Sequence, residues 1–200
     1  MYYTVTKEEI NNIMGMPGEV SGEVLQNDKR FIIRKGGRRK VVEAEEEMSD
    51  YGHSFSYNKI KKKAFYPWGK RVLSLLAISN IFKMEQSMIK NLGKNSVIMP
   101  PWVKFKIRYF SSTEQVLENF ARNWRKNNTV GRVEIKKIDK EKKQVVVVLY
   151  NLDFHPIFCD YFCGYLAKMV EISEGRSVSC QEEKCYFSGD CDFHQFVVKW

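Results

Sequence analysis

No cysteine occurs before residue 159 of this 200-residue sequence, which excludes a disulfide-stapled framework for most of the chain. Long apolar runs are missing as well: no window approaches the roughly 18 residues that a membrane-spanning helix requires. The start, Met1-Tyr2-Tyr3-Thr4, lacks the basic region, apolar stretch and small-residue cleavage site of an export signal. There is no glycine-rich phosphate loop, no Gly-x-Ser-x-Gly, no helix-turn-helix signature, no internal repeat and no low-complexity tract. These absences predict a soluble, cytoplasmic protein without a hydride-cofactor site and, by the weight of them, without catalysis.

What is present is globular in character. Apolar residues make up 44% and charged residues 28%, and 33 Lys plus Arg against 24 Asp plus Glu give a formal charge of +9. One domain, or a domain with an N-terminal appendage, fits this length. We expect residues 1–60 as an N-terminal segment, open to being part of the same domain, and 61–200 as the main domain. The charge is uneven. Residues 160–200 carry four basic and seven acidic groups, a local balance of minus three within a basic protein.

Thr6 with Glu9 has capping-box spacing, which predicts a helix over 7–14 ended by Gly15 and Pro17. Arg30–Arg34 reads as a strand. A helical period runs through Val72, Leu75, Leu76, Ile78, Ile81, Phe82, Met88, Ile89 and Leu92, with Gly93 as its stop. After Pro100-Pro101, Ser111 and Glu114 form a second capping box leading into Val116, Leu117, Phe120, Ala121 and Trp124. Strands over 130–138 and 145–150 flank a polar hairpin loop, and a helix over 156–172 is closed by Gly175. Two last strands, near 176–186 and 193–198, are joined by Ser188-Gly189-Asp190. The expected class is α+β, an antiparallel sheet with helices packed on one face.

The chemistry lies at the C-terminus, where Cys159, Cys163, Cys180, Glu182, Glu183, Cys185, Cys191 and His194 crowd together. Zinc needs four convergent, deprotonable, soft or borderline donors, and this segment supplies a surplus. Cys185 and Cys191 flank a turn that brings both sulfurs near one centre, and Cys159 sits at a helix start that favours a thiolate. The residues leave the fourth donor open among 180 to 183 and His194. In an unbroken strand Glu182 and Cys185 face opposite sides, so Glu182 serves only if a bulge or a strand end falls between them.

Cys159, four residues, Gly164-Tyr165, a helix, Glu182-x-x-Cys185, three residues, Gly189-Asp190 and Cys191 together resemble the 4-vinyl-reductase-like, or hydrocarbon-binding, domain family. The family includes the sensory domains of phenol- and xylene-responsive bacterial transcription activators. The likeness is close over about the last 45 residues. It implies a structural zinc held by Cys159, Glu182, Cys185 and Cys191, a neighbouring aromatic-ligand pocket, and homodimerisation. The loop before Cys191 is two residues shorter than the family's.

Aromatic side chains that supply either core or cavity wall are Trp102, Tyr109, Phe120, Trp124, Phe154, Phe158 and Phe162, with His155 as a polar neighbour. The reading is a non-catalytic sensing or carrier protein for a small apolar or aromatic molecule, with a structural zinc and a signalling partner protein. Alternatives are a tetrapyrrole vinyl reductase or accessory factor and a basic nucleic-acid-binding adaptor. The last draws on Arg34–Lys40 and Lys59–Lys63, runs that more commonly form a solvated face.

Overall fold

Local capping starts the fold. In the computed structural model, which describes Tyr3 and residues 5–200, Thr6 Oγ1 accepts the Glu9 N–H while Glu9 accepts the Thr6 N–H. This reciprocal pair opens α1 (Lys7–Gly15) as its spacing predicts. β1 (Glu19–Ser21) then pairs antiparallel with β2 (Phe65–Pro67).

α2 (Gly22–Asp50) contains the Arg30–Arg34 segment expected as a strand. The helix prevails because Leu25, Asp28, Phe31 and Ile32 are buried at helical intervals against α3 (Trp68–Ile81), and packing overrides the β-propensity of Phe-Ile-Ile. Gly37, with φ 79° and ψ −178°, breaks the helix in a conformation that favours glycine. Across α2 and α3, the buried Arg71 guanidinium donates to Asp28, which also accepts from Ser74 Oγ at 2.8 Å. Tyr57 completes this network with a 2.7 Å hydroxyl contact to Ser74.

α4 (Gln86–Asn95), α5 (Pro101–Phe110) and α6 (Thr113–Asn127) follow. The box that opens α6 is Ser112 with Gln115, one residue beyond the expected Ser111 and Glu114. α5 goes beyond the expectation; Pro101 occupies its first position, where a missing N–H costs nothing. β3 (Arg132–Asp139), β4 (Gln144–Tyr150), β5 (Ser179–Lys184) and β6 (Phe193–Lys199) form an antiparallel sheet of order β3-β4-β6-β5. α7 (Ile157–Glu174), closed by Gly175 at φ 71°, packs on β5 and β6. The fold is α+β, with helix packed on sheet. Among the described residues, no helix is long and apolar enough to cross a membrane.

Contacts divide the chain into two compact units, residues 1–89 with 127–129, and residues 90–126 with 130–200. The division runs through α4, so residue 60 falls inside the first unit. Within the second unit α4 and α7 meet backbone to backbone. A Cβ on Gly164 would stand 1.8 Å from the Lys90 carbonyl oxygen, and one on Gly93 2.0 Å from that of Tyr161. Gly93 is therefore a point of close approach within α4 and not its stop.

Two stability outcomes follow from this packing. Gly164→Ala is expected to cost roughly 3 kcal/mol, since no flexible side chain can yield to the new methyl; urea unfolding measures it, and a loss under 1 kcal/mol would contradict the close approach. Asp28→Asn is expected to cost about 3–5 kcal/mol by leaving the buried Arg71 uncompensated, whereas Asp28→Leu with Arg71→Met costs much less. Equal losses in the two variants would show that charge pairing is not the cause.

Candidate metal centre

The register of the sheet decides what faces α7. Cys180 lies opposite Val198 and Glu182 opposite Phe196. Side chains two apart on a strand share a face, so His194, Phe196 and Val198 point the same way as Cys180 and Glu182. α7 answers with Cys159 in its first turn and Cys163 one turn later on the same side. The register shifts between Glu182 and Lys184, which marks Glu183 as an extra, bulged residue. Through that bulge Glu182 and Cys185 reach one centre.

Ligand atoms of Cys159, Glu182, Cys185 and His194 lie within 4.8 Å of one another. The two sulfurs are 3.7 Å apart, and Cys159 Sγ is 3.8 Å from His194 Nδ1. A tetrahedral ion with bonds of about 2.3 Å to sulfur and about 2.1 Å to nitrogen sets ligand separations close to these, roughly 3.6 to 3.8 Å. His194 is 4% exposed. Its Nε2–H donates to the Leu152 carbonyl at 3.2 Å, which leaves the Nδ1 lone pair turned toward the cluster. Glu182 Oε1 stands 2.7 Å from Nδ1, so two acceptors meet unless a proton or a cation joins them.

The thiols feel the same excess of negative charge. Burial, reinforced by Glu182 and Cys185, pushes the Cys159 thiol well above its ordinary range, and burial also raises Cys185. Beside them Cys163 and Cys180 form a second thiol pair. The hydrogen bond that Cys180 donates lowers Cys163 and raises Cys180. A bound cation reverses this balance by favouring thiolates at the metal.

Of the residues expected in the metal set, the structure gathers Cys159, Glu182 and Cys185. Cys191 is corrected: its thiol donates to the Phe193 carbonyl at 3.2 Å, and His194 completes the cluster in its place. The short loop before Cys191 and the inward alternation of His194 with Phe196 and Val198 are the sequence signals for that exchange. The expected pocket residues separate into two groups. Phe120, Trp124, Phe154, Phe158 and Phe162 are buried, with ring centroids 5.6 Å apart for Trp124–Phe162 and 5.7 Å for Phe158–Phe162, and pack as core. Trp102 and Tyr109 lie exposed on α5, Tyr109 beside a cleft of about 310 Å³ that α5 shares with α7. His155 accepts the Ile157 N–H at the start of α7.

No family model and no curated protein sequence matches the chain. Its backbone places it instead among mixed helix-and-sheet proteins already solved. The fold is that of H-NOX proteins. The S. oneidensis H-NOX protein in the Fe(II)NO ligation state matches with a TM-score of 0.64 at 11% identity, over 90% of this chain and 98% of that one. The Fe(II) unliganded H-NOX protein from K. algicida matches at 0.63 and 12%, over 90% and 95%. A structure concerning heme redox potential and porphyrin distortion gives 0.63 and 10%, over 90% and 99%. The phenol-responsive sensory domain of the transcription activator PoxR with phenol gives only 0.46 at 16%, over 61% and 68%, and nothing is built on it.

These likenesses correct the expected cofactor. The proteins that share the fold are iron and heme proteins, so the fold points to heme and the assignment of a structural zinc falls. The donors of this chain nevertheless do not fit a histidine-ligated heme. None of its three histidines lies on a helix. His194 has both ring nitrogens engaged, and His155, accepting at Nδ1, carries its neutral-ring proton on Nε2. His53 follows α2 in a turn.

The raised Cys185 thiol gives a pH signature. In chelator-treated protein, its labelling by iodoacetamide, mapped by mass spectrometry, is expected to rise at higher pH than that of the same cysteine in the urea-unfolded chain, because only the thiolate reacts. Coincident pH profiles would contradict the burial that raises it.

Proposed function

We propose that the chain is a non-catalytic module that senses or carries a small molecule, and that Cys159, Glu182, Cys185 and His194 hold a transition-metal ion clipping α7 to the β5–β6 hairpin. One observation carries this reading: two thiols, an imidazole and a carboxylate converge from α7, β5, the residue after β5, and β6, with their ligand atoms within 4.8 Å of one another. With all four positions supplied by protein, no site is reserved for an activated water, which argues against hydrolytic chemistry. The H-NOX proteins of the same fold, solved with and without a bound diatomic, support small-molecule response as the use of the scaffold. The finer reading keeps an apolar or aromatic ligand and a homodimer.

Native mass spectrometry and elemental analysis of the full chain purified without chelator test this. The expected result is one metal ion per chain, with any co-purified molecule and the subunit count read in the same spectra. Cys159→Ser, Cys185→Ser and His194→Ala are expected to lose the ion at least tenfold, while Cys163→Ser and Cys191→Ser retain it. A metal-free wild type, or equal metal content in all five variants, would overturn the assignment.

A further inference from the structure

α5 buries none of its residues, although half of its ten are large and apolar. Trp102 is 69% exposed, Phe105 60%, Tyr109 64% and Phe110 74%, and Ile98 just before the helix is 46% exposed. Scattered apolar side chains on a surface need no explanation; a contiguous set of this size does. At about 100° per residue Trp102, Phe105 and Tyr109 fall within roughly 60° of one another, so they form a single stripe along the helix. The Phe105 and Tyr109 rings confirm it, with centroids 4.6 Å apart. Val103 and Ile107, half-buried, take the opposite side toward the body of the unit.

Charge says what the stripe faces. Lys106 projects beside it on one flank and Arg108 on the other, where Arg108, with Lys104 further round, borders the cleft against Lys168 and Glu171 of α7. The helix has no acid. From Gln86 through Thr113 there is no Asp or Glu at all, while Lys90, Lys94, Lys104, Lys106 and Arg108 all fall in that span. An aromatic stripe bordered on both sides by cations is the arrangement of a helix lying in a lipid interface. Trp and Tyr settle at headgroup depth, and long basic side chains reach back to anionic headgroups.

We propose that α5 docks the protein onto an anionic membrane surface, parallel to the bilayer plane, through Trp102, Phe105 and Tyr109 with Lys106 and Arg108 as the principal electrostatic contacts. The helix is too short to span a bilayer, and docking is peripheral and reversible. Because the cations are held to an anionic leaflet by charge, attachment weakens steeply with salt, and because the apolar term is modest it needs both parts. The proposal is independent of the metal cluster.

Flotation with vesicles of phosphatidylcholine and phosphatidylglycerol, against vesicles of phosphatidylcholine alone, tests it on the full chain. Expected is binding to the anionic vesicles at low salt, at least tenfold stronger than to the neutral ones. Trp102→Ala with Phe105→Ala is expected to reduce binding tenfold or more, and Lys104→Glu with Lys106→Glu and Arg108→Glu to abolish it. All these positions are exposed, so melting temperatures are expected to stay within a few degrees of wild type. Absence of vesicle binding at low salt would overturn the proposal, as would binding unchanged in the aromatic variant. It is equally overturned if vesicles fail to bind while sedimentation shows a dimer, or a nucleic-acid duplex is bound, and the aromatic variant abolishes that association.

Discussion

One extra residue in β5 governs the C-terminal chemistry. A strand alternates its side chains, so Glu182 and Cys185 would project to opposite faces of an unbroken β5. The register shift at Glu183 turns the strand by one position and leaves both on the side of α7. Cys159 is already there, because a helix crossing β5 and β6 presents residues of its first turn to the strand ends. His194 arrives through pairing: opposite Leu149 in β4, it continues the inward row of Phe196 and Val198. Remove the bulge and three donors remain around a gap.

Such a cluster carries an electrostatic debt that the two units of the chain settle differently. In the first unit a buried carboxylate, Asp28, is matched by the guanidinium of Arg71 and by the Ser74 hydroxyl. In the second, a carboxylate and two thiols gather around an imidazole whose far nitrogen is already committed to the Leu152 carbonyl. Buried groups of one sign do not stay ionised without a counter-charge. Without such a counter-charge the two thiols, raised by burial and by the neighbouring Glu182 carboxylate, stay protonated.

The parts of the fold that sequence makes legible are those set by local chemistry. The Thr6–Glu9 box, the hairpin around Asp139–Lys142, the glycine closure of α7 at Gly175 and the two C-terminal strands follow from caps, alternation and turn residues. What sequence hides depends on partners far along the chain. Phe31-Ile32 looks like a strand until α3 supplies a surface for a helix. Gly93 looks like a terminator, because its real role is visible only once Tyr161 is beside it. Three of the four clustered donors are legible by type and spacing. The exchange of Cys191 for His194 is legible only in part: His194 stands among the candidate fourth donors, whereas the turning of the Cys191 thiol to the Phe193 carbonyl has to be seen in the structure.

A shared fold does not by itself fix a cofactor. At 10–12% identity a shared backbone path says how helices and sheet are connected, and leaves the side chains free to differ at every chemical position. A histidine-ligated heme needs an imidazole as its axial donor, and the helices of this chain carry none. Its one deeply buried histidine is spent on a different centre, between Glu182 and the Leu152 carbonyl. The scaffold that suits heme in other proteins thus keeps its geometry here while its soft donors collect at the helix-to-sheet joint.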